Sequence, residues 1–216
     1  QGIILARDGE NSPYFWSAGV LIGPNLVLTA AKNIYNEYKS GEYNEISFSP
    51  GVFDLHAPHG SIKVIKVYYP GTYSTNKVED FALLVLSSPV GTLTGFCGLH
   101  VTDPNTIKEE LTLLGYPAKR LQDNLNYGSF EPLSVNVFAE KDSLELLQYR
   151  QSVPGIMSSA LYHQIGSAYY LVGIGSSDKH AVWITQQRFK QVKKWILDAI
   201  NRVYLGNVGK DWNQII

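Results

Sequence analysis

Polarity along this chain changes every few residues, and most apolar segments are of strand length. Residues 14–22 are apolar-rich and stop at Gly23-Pro24-Asn25, a strong turn signal. The extended pattern resumes at residues 26–28. Residues 62–67 mix β-branched side chains with Lys63 and Lys66, three apart, so they predict a partly exposed strand without clean alternation. Residues 81–86 are continuously apolar and close at Ser87-Ser88-Pro89. Residues 111–114 run into Gly115-Tyr116-Pro117, and residues 169–174 into Gly175-Ser176-Ser177. Gly2-Ile3-Ile4-Leu5 reads as a first strand.

One segment has the helical period. Between residues 186 and 204, Phe189, Val192, Trp195, Ile196, Ile200 and Val203 fall three or four apart, on one face. Gly206 supplies the stop. A shorter helical turn is expected over residues 30–38. Many short strands followed by one terminal helix predict an all-β barrel or sandwich. The polar stretch 102–106 is the expected linker between two β-halves, which sets units at 1–104, 105–185, the helix 186–205 and a tail 206–216.

Composition narrows the chemistry. The 216 residues are enough for one large domain or two small ones sharing a core. Lys and Arg number 18 against 19 Asp and Glu, a net charge of -1, with no basic run, so no nucleic-acid footprint is present. No stretch approaches the ~20 apolar residues of a membrane span. The chain opens without a leader-like segment and reads as a mature or trimmed end. Cys97 is the only cysteine, which excludes an intramolecular disulfide, and it reads as a small hydrophobe. His56 and His59, with Asp54 nearby, could hold a metal, but Pro58 and Gly60 make this a polar loop; no metal or cofactor is expected.

Four segments, in order, carry a family pattern. They are "GVLIGPNLVLTAA" from Gly19, "EDFALLVLSSPV" from Glu79, "LTLLGYPAKR" from Leu111 and "PGIMSSALY" from Pro154. Together with "YYLVGIGSS" and the terminal helix, they resemble chymotrypsin-like serine proteases. The closest pattern is that of the glutamyl-endopeptidase branch. The resemblance implies two six-stranded Greek-key β-barrels with a cleft between them, and export or a lumenal location. It also implies a Ser-His-Asp site, in which a base activates the serine, an aspartate orients the base and backbone N–H groups stabilise the oxyanion.

The expected site is degenerate. Lys32 stands where the pattern has histidine, Asp80 stands for the aspartate, and Met157 falls on the nucleophile. A lysine beside a carboxylate is held protonated by that charge while burial pushes the other way. A protonated lysine cannot take a serine's proton. A thioether is no acyl acceptor. Gly155 and Met157 mark the oxyanion turn. Ser152 and Gly175 occupy the threonine and histidine positions that read a substrate carboxylate, which puts glutamate selectivity in doubt. The reading is an inactive homologue that binds a protein or peptide or serves as a structural subunit. The alternative is an unconventional hydrolase using Ser158 or Ser159 with Lys32.

Overall fold

The computed structural model describes residues 1–53, 56–101, 110–116, 133–137, 139–141, 146–150 and 158–201. The first half contains β1 (Gly2–Arg7), β2 (Phe15–Gly23), β3 (Leu26–Thr29), the small hairpin β4 (Tyr35–Asn36) and β5 (Gly41–Glu42), β6 (Glu45–Pro50), β7 (Ile62–Tyr68) and β8 (Ala82–Leu86). Six of these close an antiparallel barrel in the order β1-β2-β3-β8-β7-β6, with β6 returning to β1. A short helix, α1 (Gly91–Thr94), follows.

The second half holds β9 (Leu111–Gly115), β10 (Leu133–Val137), β11 (Ala139–Lys141), β12 (Leu147–Tyr149), β13 (Ala160–Ile165), β14 (Ala168–Gly175) and β15 (His180–Trp183), then α2 (Gln186–Ala199). These strands form one sheet of seven, ordered β10-β9-β13-β14-β15-β12-β11. The count differs from the expected six for a simple reason. The two edge strands, β10 and β11, are separated only by residue 138. A single residue spans no more than ~3.6 Å, so the sheet must curl until its two edges meet at one nearly continuous segment. The result is the chymotrypsin-like arrangement of two β-barrels with a C-terminal helix.

Burial explains which runs alternate and which do not. All five residues of β8 are buried because its two faces serve two cores. Ala82, Leu84 and Leu86 point into the first barrel with Ile4, Phe48 and Val27. Leu83 and Val85 pack on the other side with Leu28, Leu171, Ile174, Val192 and Trp195, which joins the two halves. A third cluster, with Leu111, Leu113, Leu147, Leu161 and Val172, fills the second sheet. In β7 the broken alternation has a structural cause: the register with β8 shifts between Val64 and Lys66, which leaves Lys63, Ile65 and Lys66 all exposed.

α2 packs across both halves. Thr185 caps it by accepting from the Arg188 N–H at 3.0 Å. Trp195 lies 5.3 Å from Phe81 and 6.3 Å from Tyr68, ring to ring. The expected helical turn over 30–38 is corrected to a 3-10 turn, Ala31–Asn33, followed by the β4–β5 hairpin. A longer helix there would carry Asn33 and Ile34, both buried, away from the barrel. The helix expected to residue 204 is described to Ala199, and Gly206 and the linker 102–106 lie outside the described residues. Cys97 is a free thiol, half-buried, and burial pushes its ionisation up. No helix among the described residues is long and apolar enough to cross a membrane.

Candidate functional site

Strand pairing brings the first two site residues together. β3 and β8 run antiparallel, with Thr29 opposite Ala82. Lys32 lies three residues beyond that point on one strand and Asp80 two residues before it on the other. The 3-10 turn aims the Lys32 backbone N–H at Asp80 Oδ1, 2.9 Å away. The Lys32 Nζ stands 3.7 Å from Asp80 Oδ2. A third residue arrives from the second half: Ser176, just past the end of β14, donates its hydroxyl to Asp80 Oδ2 at 2.7 Å. Asp80 is 3% exposed, so its charge is removed from water and met by these donors instead.

The lysine ammonium is also committed to the second half of the chain. Lys32 Nζ donates to the Ser176 backbone carbonyl. The Ser176 N–H in turn donates to the His180 carbonyl at 2.8 Å. Both backbone groups of Ser176 are therefore satisfied within the chain. Burial lowers the Lys32 ionisation from the ordinary lysine value, while Asp80 and, more weakly, Asp178 push it back up. Burial wins, so the balance foreseen between charge and desolvation falls on the desolvation side.

The sign of this shift gives a pH dependence. Below its folded value Lys32 is charged in both states, and its desolvation opposes folding in full. Between that lowered value and the unfolded value near ~10.4 the unfolded chain binds more protons, so stability rises with pH. Lys32→Met should remove this rise: urea melts of the two proteins between neutral pH and pH 10 are expected to show a shallower upward slope for the variant. Parallel slopes would contradict the assignment.

A second polar chain links the halves beside this centre. Thr29 Oγ1 donates to the Ala18 carbonyl at 2.7 Å, and Asn33 Nδ2 donates to Thr29 Oγ1 at 2.8 Å. Ser158 Oγ then donates to Asn33 Oδ1 at 3.0 Å. Ser158 has φ of 63°, a left-handed conformation that costs a non-glycine residue about 1 kcal/mol or more. That conformation, with its N–H on the Gly175 carbonyl at 2.8 Å, aims the hydroxyl at Asn33. Ser159 is fully buried, and its carbonyl accepts from the Gly175 N–H at 2.8 Å. Gly175, at the end of β14, thus serves through its backbone.

Lys32, Asp80, Ser158, Ser159 and Gly175 converge on this region. Ser152, Gly155 and Met157 lie outside the described residues, as does Asp54 of the His56–His59 loop. Among the described residues no cluster of three metal-ligating side chains exists. Sequence reasoning missed Ser176 and Asn33. Ser176 sits in "GIGSSDK" and reads as a turn closing a strand. Asn33 follows Lys32 directly, and only its burial, at 1% exposure, marks it as more than a loop amide.

Comparison with known proteins adds three observations. No family model matches the chain. Among curated proteins, a glutamyl endopeptidase of Bacillus licheniformis is 25% identical over 190 residues, 82% of this chain. The chain spans 58% of that relative's length. Among solved structures, a Glu endopeptidase in complex with MPD superposes with a TM-score of 0.71 at 20% identity, over 89% of each chain. The protease Anisep from Arthrobacter nicotinovorans gives 0.65 at 17% identity, over 84% of this chain and 88% of its own. A thermostable serine protease, AL20, from an extremophilic microorganism gives 0.70 at 13% identity, over 89% and 96%.

Proposed function

Starting from a chymotrypsin-like serine-protease fold and a sequence similarity to a glutamyl endopeptidase, we infer that this chain is a catalytically inactive member of that lineage that acts by binding a protein or peptide. One observation carries the reading. The residue in the base position, Lys32, directs its ammonium to the Ser176 carbonyl and to Asp80. A base must have a lone pair facing its nucleophile. Here the nitrogen faces two acceptors, the Ser176 carbonyl and Asp80, and the carboxylate that would orient an imidazole holds a backbone N–H, a hydroxyl and an ammonium. The sequence adds Met157 at the nucleophile position. Losing base and nucleophile together leaves about as little as losing the whole triad, ~10⁶ in turnover.

The serine-lysine alternative finds less support. Ser158 is 2% exposed and gives its hydroxyl to Asn33, and Ser159 is fully buried, so neither offers an accessible oxygen to a substrate carbonyl. A fluorophosphonate probe tests the main reading. Intact-mass analysis of the treated protein is expected to show no adduct. A stoichiometric adduct, or ester turnover that rises with pH and vanishes in Lys32→Ala, would overturn it. Export or a lumenal location follows from the same resemblance.

A further inference from the structure

A groove of about 430 Å³ lies between the connection that leads into β8 and the first turns of α2. It is separate from the Lys32 centre, yet Glu79 and Phe81, which flank Asp80, both line it. Its floor is an ion pair. Arg188 Nη2 donates to Glu79 Oε1 at 2.9 Å, with the Arg188 side chain 7% exposed and that of Glu79 29% exposed. Arg188 Nη1 also donates to the Trp183 carbonyl at 3.2 Å, and its guanidinium stands 6.0 Å above the Phe81 ring. The cation is thus fixed from three sides, and the carboxylate faces the groove already neutralised. The walls carry three amides, Asn76, Gln187 and Gln191, the Thr72 hydroxyl and the Tyr69 phenol, with Pro70 and Gly71 between them. Asn76 Oδ1 accepts from the Val78 N–H at 3.2 Å, which leaves its two amide hydrogens as donors.

Charge and polarity narrow the ligand. An anion would meet the Glu79 carboxylate. A cation would gain little from a carboxylate that Arg188 already compensates, and among the described residues no second acid lines the groove. An apolar ligand would strand the amides without partners. A neutral molecule dense in hydroxyls fits both kinds of group. Each hydroxyl can donate to the carboxylate or an amide oxygen and accept from an amide N–H. The volume sits at the lower end of small-ligand sites.

We propose that this groove binds a neutral saccharide, whose hydroxyls donate to Glu79 and accept from Asn76, Gln187 and Gln191. The bound sugar would clamp the segment carrying Glu79 and Asp80 against α2, whether or not the Lys32 centre is inert.

The purified chain is titrated with neutral sugars (glucose, galactose, mannose, N-acetylglucosamine, lactose) and with the charged analogues glucuronate and glucosamine. Melting temperature and tryptophan fluorescence are followed, since Trp195 packs on Phe81. At least one neutral sugar is expected to raise the melting temperature saturably at millimolar concentration, with its charged counterparts at least about tenfold weaker. Gln187→Ala with Gln191→Ala places good helix formers at one exposed and one half-buried position of α2. The double variant should keep the unliganded melting temperature while weakening binding about tenfold or more. No saturable response to any neutral sugar overturns the proposal. So does equal binding of a charged analogue, or affinity unchanged in the double variant. A response to glutamine-containing peptides alone would assign the groove to a peptide amide and overturn it equally.

Discussion

Asp80→Ala should lower the unfolding free energy by roughly 3 kcal/mol. The carboxylate is 3% exposed and answers three donors at once: the Lys32 N–H, the Ser176 hydroxyl and the Lys32 ammonium. Alanine removes the acceptor and leaves two hydrogen-bond donors unmatched and a half-buried cation without its counterion. The Lys32 side chain keeps 27% of its exposure, which lets water soften the loss and places the value at the low end for a broken buried pair. Asp80→Asn keeps an oxygen for the Lys32 N–H and should lose less than half as much. In the double variant Lys32→Ala/Asp80→Ala the stranded cation is gone, so the total should fall short of the sum of the single changes. Urea unfolding of the parent, the three single variants Asp80→Ala, Asp80→Asn and Lys32→Ala, and the double variant reads this directly. A loss under about 1 kcal/mol for Asp80→Ala would mean that the cluster is not electrostatically coupled.

Gly115→Ala should cost a similar amount by a different route. A Cβ at Gly115 would lie 1.7 Å from Ser159 Oγ, 2.5 Å from its Cβ and 3.2 Å from its Cα. Ser159 is fully buried, so its side chain has nowhere to retreat. Overpacking of this kind costs up to about 3 kcal/mol. Gly115 ends β9, and β9 pairs with β13 through Leu114 and Ala160, so the strain falls on the turn that sets Ser158 against Asn33. Ser159→Gly removes the two nearest atoms. The double variant Gly115→Ala/Ser159→Gly should therefore recover most of the stability lost by Gly115→Ala, seen as a return of the urea midpoint. Additive losses would show that the crowding lies elsewhere.

How much of this was legible beforehand varies with the range of the interaction. The strands at 14–22, 26–28, 62–67, 81–86, 111–114 and 169–174 all exist within a residue or two of where turn residues place them. Local signals suffice there, because Gly-Pro-Asn or Ser-Ser-Pro ends an extended run whatever surrounds it. At 30–38 the burial of Asn33 and Ile34, a tertiary matter, overrides short-range helical spacing. Arg188 shows the same limit. Its spacing to Val192, Trp195 and Ala199 puts it on the buried face of α2, but only the fold supplies what receives a charge there: Glu79, 109 residues away, and the Trp183 carbonyl, which leave it 6% exposed.

The sequence by itself determined which side chains are available for chemistry, among them a lysine at position 32 and an acid at position 80. Strand lengths and turn residues, which are written locally, predict an all-β plan, and the family pattern implies its two barrels. Only the tertiary structure decided where the lysine ammonium goes. Its acceptor is the Ser176 carbonyl, 144 residues further along the chain. Likewise Ser158 faces Asn33 at a separation of 125 residues. Such partners are chosen by the desolvation of buried polar groups, each of which must find a match once water is excluded. That requirement acts on proximity in space, which no pattern of neighbouring residues encodes.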